Sequence, residues 1–179
     1  MKFSAVVVLF ITTIVSGAAA SIANIDKDLV SIRKSADALK ASVEAFPVNG
    51  GGTVPQANAI RRDTANFKAD VDQCTKEVKA TPPFSDSDSH RFLEIIKKYS
   101  PTISKFLNDI IIRRRSFENV GGVNAVPYVL EALKELGAST SAFGDAMIKS
   151  DTSDVKPQAQ QLKNELAEEF HKAVDVYSK

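Results

Sequence analysis

Residues 22–46 read IANIDKDLVSIRKSADALKASVEAF, in which Ile22, Ile25, Leu29, Ile32, Ala36, Leu39, Val43 and Phe46 recur at alternating three- and four-residue steps. That spacing lines all of them along one stripe of an α-helix. A stripe of this kind is stable in water only when it is buried against another element. The same steps return in Ala57, Ile60, Thr64, Phe67, Val71, Cys74 and Val78, and then in Phe92, Leu93, Ile95, Ile96 and Tyr99. They return again in Ile103, Phe106, Leu107, Ile110, Ile111, Ile112 and Phe117, in Val126, Val129, Leu133, Leu136, Thr140, Phe143 and Met147, and in Leu162, Leu166, Phe170, Ala173 and Tyr177. The pattern predicts an all-α fold, a single-domain antiparallel bundle of five to six amphipathic helices.

The breaks between segments carry turn chemistry. Pro47 with Gly50, Gly51 and Gly52 ends the first helix, and Ser85 to Ser89 offers several residues able to cap the third. Ser100 and Pro101 read as a restart, serine capping and proline opening a fourth helix, which Gly121 and Gly122 end. That fourth segment is apolar on more than one face, as expected of a central helix or one that meets an apolar ligand.

Ahead of the bundle, Met1–Ala20 combines Lys2, an apolar run from Ala5 to Val15 and the small residues Ser16, Gly17, Ala18, Ala19 and Ala20. This is the layout of a secretory signal peptide, with cleavage expected after Ala20 and residues 21–179 left as the helical-bundle domain. The run is shorter than the roughly 20 apolar residues of a membrane span. No later stretch is long and apolar enough to cross a bilayer, and the chain ends without the hydrophobic tail of a removed-tail lipid anchor. The expected location is therefore extracellular, in the medium or associated with a cell wall. The chain has 23 basic and 22 acidic residues, so loss of Lys2 leaves 22 of each. Neutrality argues against nucleic acid or a strongly anionic membrane as partner. The single cysteine, Cys74, allows no internal disulfide, and no Asn is followed by the Ser or Thr of a glycosylation acceptor.

Catalytic and metal motifs do not appear. There is no Gly-x-Ser-x-Gly, no His-Glu-x-x-His and no glycine-rich phosphate loop, and His90 and His171 are the two imidazoles. Cys74 lies in an apolar seam and reads as a small hydrophobe. Asp86, Asp88 and His90 lack the glycine and closing glutamate of a calcium loop and read as capping residues. Arg113, Arg114 and Arg115 can be a clamp for a carboxylate or phosphate, or a solvated last turn with Asp109 pairing Arg113; the second reading is the simpler. His171 reads as a surface residue. These features predict no enzyme, no cofactor and no metal.

The stretches Ala23-Asn24-Ile25-Asp26-Lys27-Asp28-Leu29 and Tyr99-Ser100-Pro101-Thr102-Ile103-Ser104-Lys105-Phe106-Leu107 resemble the fungal hydrophobic surface-binding protein A family, which includes the cell-wall galactomannoproteins. The resemblance extends over nearly the whole chain after the signal. It implies a secreted, non-enzymatic bundle of about five helices that binds hydrophobic surfaces, or holds a long-chain fatty acid inside the bundle. The chain lacks the Ser/Thr-rich tail of wall-attached members, which puts wall anchorage in doubt. Candidate lining residues for an apolar ligand are Phe67, Val71, Phe92, Ile96, Phe106, Leu107, Ile110, Leu133, Phe143, Met147, Leu166 and Phe170, each of which also suits plain core packing. Thr64 and Thr140 are the polar positions in the seams, able to meet a head group or to bond their own helix. The competing expectation is a secreted interaction protein or effector that recruits a partner, such as a hydrolase, through its charged outer faces.

Overall fold

The computed structural model describes residues 11–179, with side chains from residue 21 onward. The signal read over Met1–Ala20 therefore lies outside the described residues, apart from the backbone of its second half. Five long helices form: α1 (Ile11–Glu44), α2 (Val54–Ala80), α3 (Asp86–Ile112), α4 (Val126–Ser150) and α5 (Lys156–Tyr177), with a 3-10 turn, Arg114–Phe117, after α3. α1 begins upstream of Ile22, because the small residues before it are compatible with helix and nothing there breaks one.

The expected restart at Ser100 and Pro101 does not occur; α3 runs straight through Pro101. Proline removes the N–H that would reach the Lys97 carbonyl. The Ser100 hydroxyl donates to that same carbonyl at 3.3 Å, so a neighbouring side chain takes the place of the missing backbone donor. The count is accordingly five rather than six. Nor do Gly121 and Gly122 end this helix. They form the tight turn of a small loop in which Val120 and Val123 bond each other, and both adopt positive φ.

Cross-links between side chains fix how the helices run. Asn24 meets Glu77, Ser42 meets Asp63, and Gln56 donates to the Ala45 carbonyl at 3.0 Å, so α1 and α2 are antiparallel. Arg91 bonds Asp26 while Lys105 meets Glu44 at 2.6 Å, so α1 and α3 are parallel. By the same reasoning α3 and α5 are parallel, through Lys97 to Gln158 at 2.8 Å and Tyr177 to the Ile110 carbonyl at 2.8 Å. α4 and α5 are antiparallel, with Asp145 bonded to Lys163 and Gly137 against Phe170. α2 and α4 are parallel, since Gly121, just before α4, lies over Val54 and Ser139 faces Asp72.

Neighbours in space follow the order α1, α2, α4, α5, α3 and back to α1, a closed ring. Its centre is apolar. Phe106 of α3 places its ring 6.2 Å from that of Phe67 in α2 and 6.4 Å from that of Phe170 in α5. Phe67, Phe92, Phe106 and Leu107 are almost completely buried.

One end of the ring gathers the C-termini of α1 and α3 and the N-termini of α2 and α4. There the Phe46 and Phe117 rings stack at 4.3 Å, and Tyr177 completes the set against Phe117. Gly52 passes so close over Phe46 that a Cβ would fall 2.2 Å from the ring. Arg113 holds this end together. Its Nε donates to the Phe46 carbonyl at 2.7 Å, Nη2 to the Glu44 carbonyl at 3.2 Å, and Nη1 to Asp109, the partner expected from the sequence. The side chain is buried, so the expectation of a solvated arginine turn fails at Arg113: unsatisfied carbonyls at the end of α1 recruit it. Arg114 likewise donates to the Val176 carbonyl at 2.9 Å, near the end of α5, and Arg115 alone of the three is exposed.

Replacing Arg113 with Met is expected to cost about 2–4 kcal/mol of stability, because it leaves buried carbonyls without donors. Urea unfolding of the two proteins measures this; a loss below about 1 kcal/mol would assign the clamp no structural role.

Candidate apolar ligand site

Between the first halves of α2 and α4 lies a cavity of about 630 Å³ that opens to the surface. Pockets for small organic ligands run from about 300 to 1,000 Å³. Leu39 and Val43 of α1, Phe106 and Ile110 of α3, and Phe117 of the 3-10 turn form its floor. Its walls are the stripe Val54, Ala57, Asn58, Arg61, Ala65, Lys68 and Asp72 on α2, and Tyr128, Val129, Ala132, Leu133 and Leu136 on α4. The cavity exists because both helices present alanine where they face each other at this level. Ala57, Ala65, Ala69 and Ala132 keep the backbones within packing distance yet put no bulk between them.

The rim is apolar as well. Val54, Val123 and Tyr128 are 49%, 55% and 68% exposed, large values for such side chains. Val48 and Ile112 are also exposed at this same end of the bundle, so five of the six large exposed apolar residues described lie at the end where the cavity opens, three of them on its rim. Ile112 belongs to the segment whose excess of apolar residues the sequence singled out: Ile110 faces the cavity, Ile111 is half-buried and Ile112 is at the surface.

A second, much smaller cavity of about 50 Å³ lies between α3, α4 and α5, lined by Leu93, Ile96, Phe143, Met147, Leu166 and Phe170 among others. Thr140 Oγ1 and Asp151 Oδ1 border it and have no hydrogen-bond partner, so Thr140 does not bond its own helix. The candidate lining residues therefore divide. Phe106, Ile110 and Leu133 border the large cavity, and Ile96, Phe143, Met147, Leu166 and Phe170 the small one. Phe67, Val71, Phe92 and Leu107 border neither and pack the core. Thr64 borders the large cavity. Val54, Tyr128, Ala132 and the outer stripe of α2 were not among the sequence candidates, which were drawn from the regularly spaced apolar stripes. The available signal was the run of alanines at helical spacing interrupted by Arg61 and Lys68.

The remaining candidates are structural. Cys74 is buried, and burial pushes its thiol up to about 12, so it is no nucleophile. Asp88 closes the first turn of α3: its N–H donates to Ser85 Oγ at 3.2 Å and its carboxylate accepts from that hydroxyl at 2.6 Å. His90 Nε2 lies 3.2 Å from Asp154, and among the described residues no cluster of His, Cys, Asp and Glu could hold a metal. His171 is exposed. No described helix is long and apolar enough to cross a membrane.

The family model for hydrophobic surface binding protein A matches residues 22–149. The chain belongs to that family. The first domain of the Penicillium marneffei MP1 protein, solved with arachidonic acids, superposes with a TM-score of 0.78 at 18% identity, over 88% of this chain and 99% of that one. AFMP4P, solved with palmitic acid, gives 0.79 at 24% identity, over 87% and 99%. The second MP1 domain, with multiple arachidonic acids, gives 0.77 at 13% identity, over 87% and 95%. At these identities the likeness establishes a shared fold. No curated protein sequence matches the chain.

Beside the small cavity, burial raises the carboxyl of Asp151 to about 6, partly offset by a hydrogen bond from Ser89. The unfolded chain releases this proton near 3.8, whereas the folded protein keeps it until about 6. Between those values the folded state holds more protons, so raising the pH costs stability across that window, up to a limit on the order of 2–3 kcal/mol. Asp151→Asn is expected to remove this slope. Thermal unfolding from pH 3.5 to 7 compares the two proteins; parallel curves would place the Asp151 proton elsewhere.

Proposed function

We propose that this protein is a secreted, non-enzymatic carrier that takes up a single-chain lipid, a long-chain fatty acid in the first instance, into the cavity between α2 and α4. The observation that carries the reading is the cavity itself, about 630 Å³, floored by Leu39, Val43, Phe106, Ile110 and Phe117 and opening through an apolar rim. Family membership and the fatty acids named in structures of the same fold support it. Residues 21–179 act as the mature domain after loss of Met1–Ala20.

The energetics are favourable. Each methylene moved from water to an apolar wall contributes about 0.8 kcal/mol, so burial of about ten carbons supplies roughly 8 kcal/mol before the cost of ordering the chain. The exposed apolar residues around the mouth give the protein a way to rest on a wax or lipid surface and draw a molecule from it. Surface adsorption and cavity filling are then two stages of one activity. Phe106, Ile110 and Leu133 are the sequence candidates expected to touch the chain, joined by Val129, Ala132 and Leu136.

A tryptophan at Ala132 would fill the gap between α2 and α4 from a half-buried position. Ala132→Trp is expected to weaken binding of a fluorescent fatty acid by at least about tenfold while the melting temperature stays within a few degrees. Undiminished saturable binding in a folded Ala132→Trp protein would move the site away from this cavity.

A further inference from the structure

Resting on the cavity reading above, we infer that Arg61 is the head-group residue, fixing the carboxylate of a bound fatty acid at the α2 wall of the groove while its tail lies on the apolar floor that includes Phe106 and Ile110.

The charges on the cavity wall are unevenly compensated. Lys68 bonds Asp72 at 2.8 Å, Ser139 also faces that carboxylate, and Glu135 acts on Lys68 from α4. Lys68 is therefore already committed to carboxylates, and Lys76 also acts on Asp72, so this level offers an anionic head no unpaired cation on the cavity wall. Arg61 stands seven residues earlier, about 10 Å along the helix. Among the described residues it has no ion pair, whereas its neighbour Arg62 is held by Asp63 at 2.9 Å. Arg61 is thus the one cation on the cavity wall that no carboxylate neutralises.

The groove carries further donors near Arg61. Asn58 on α2 and Tyr128 on α4 border it there and bring an amide and a phenol, groups able to donate to a carboxylate. The guanidinium suits the task because its planar fork can take both oxygens of a carboxylate at once. The floor beneath, Leu39, Val43, Phe106, Ile110 and Phe117, is without charge, so a chain anchored at Arg61 has an apolar surface to lie on. The selectivity follows: the site distinguishes an ionised fatty acid from an uncharged chain of equal length.

Titration of the full mature chain with dodecanoate and, separately, with dodecanol tests this, using Arg61→Gln, Arg61→Lys and Lys68→Gln beside the unaltered protein. Arg61→Gln is expected to weaken dodecanoate about tenfold and leave dodecanol within about twofold, with Arg61→Lys retaining part of the affinity. Lys68→Gln is expected to weaken dodecanoate by less than Arg61→Gln does, and raising salt to reduce dodecanoate binding in the unaltered protein more than in Arg61→Gln. Equal losses for both ligands in Arg61→Gln, or none for dodecanoate, would overturn the head-group assignment while leaving the cavity reading intact. Failure of the unaltered protein to bind either ligand would overturn both.

Discussion

Everything about the groove depends on how the end of the ring is closed, and that closure rests on the buried guanidinium of Arg113. It reaches from α3 to carbonyls at the end of α1 and so fixes where Phe46 emerges. Phe46 stacks on Phe117, which forms part of the cavity floor. Helix ends leave four carbonyls without partners, and a buried end is tolerable only when something supplies donors. Here one side chain does so for two helices at once. The floor is therefore braced at Phe117 through Phe46, whose carbonyl Arg113 holds, and the space above it is the one that the alanines of α2 and α4 leave open.

The ring uses its helices unequally. α3 and α5 contribute Phe106, Leu107, Phe170 and Tyr177 to the buried interior, and Phe67, Phe92 and Leu107 pack there without bordering either cavity. α2 and α4, by contrast, approach through alanines along their first halves, and the space left between them is the cavity. Without a disulfide, the buried interior alone must offset the entropy of ordering the chain.

The exposed apolar side chains make sense in the same frame. A compact protein that only had to be soluble would not collect Val48, Val54, Ile112, Val123 and Tyr128 at one end. Of these, Val54, Val123 and Tyr128 border the cavity, so an apolar phase that meets them also meets the entrance.

The three-four spacing from Ile22 to Phe46, repeated along the chain, fixed the all-helical class, the buried stripes and the inert position of Cys74, because a helix turns side chains by a constant angle and burial follows from that angle alone. Tertiary structure decided what periodicity does not encode. Pro101 stays inside a helix because the neighbouring Ser100 supplies a bond to the carbonyl, and Arg113 is buried because the end of another helix lacks donors. The cavity wall includes Ala65, Arg61 and Lys68, positions that a single helix seen alone presents to solvent, because a second helix starts beside them and runs the same way. Which stripe is core is a property of one helix, whereas which space remains empty is a property of two, and only their packing sets it.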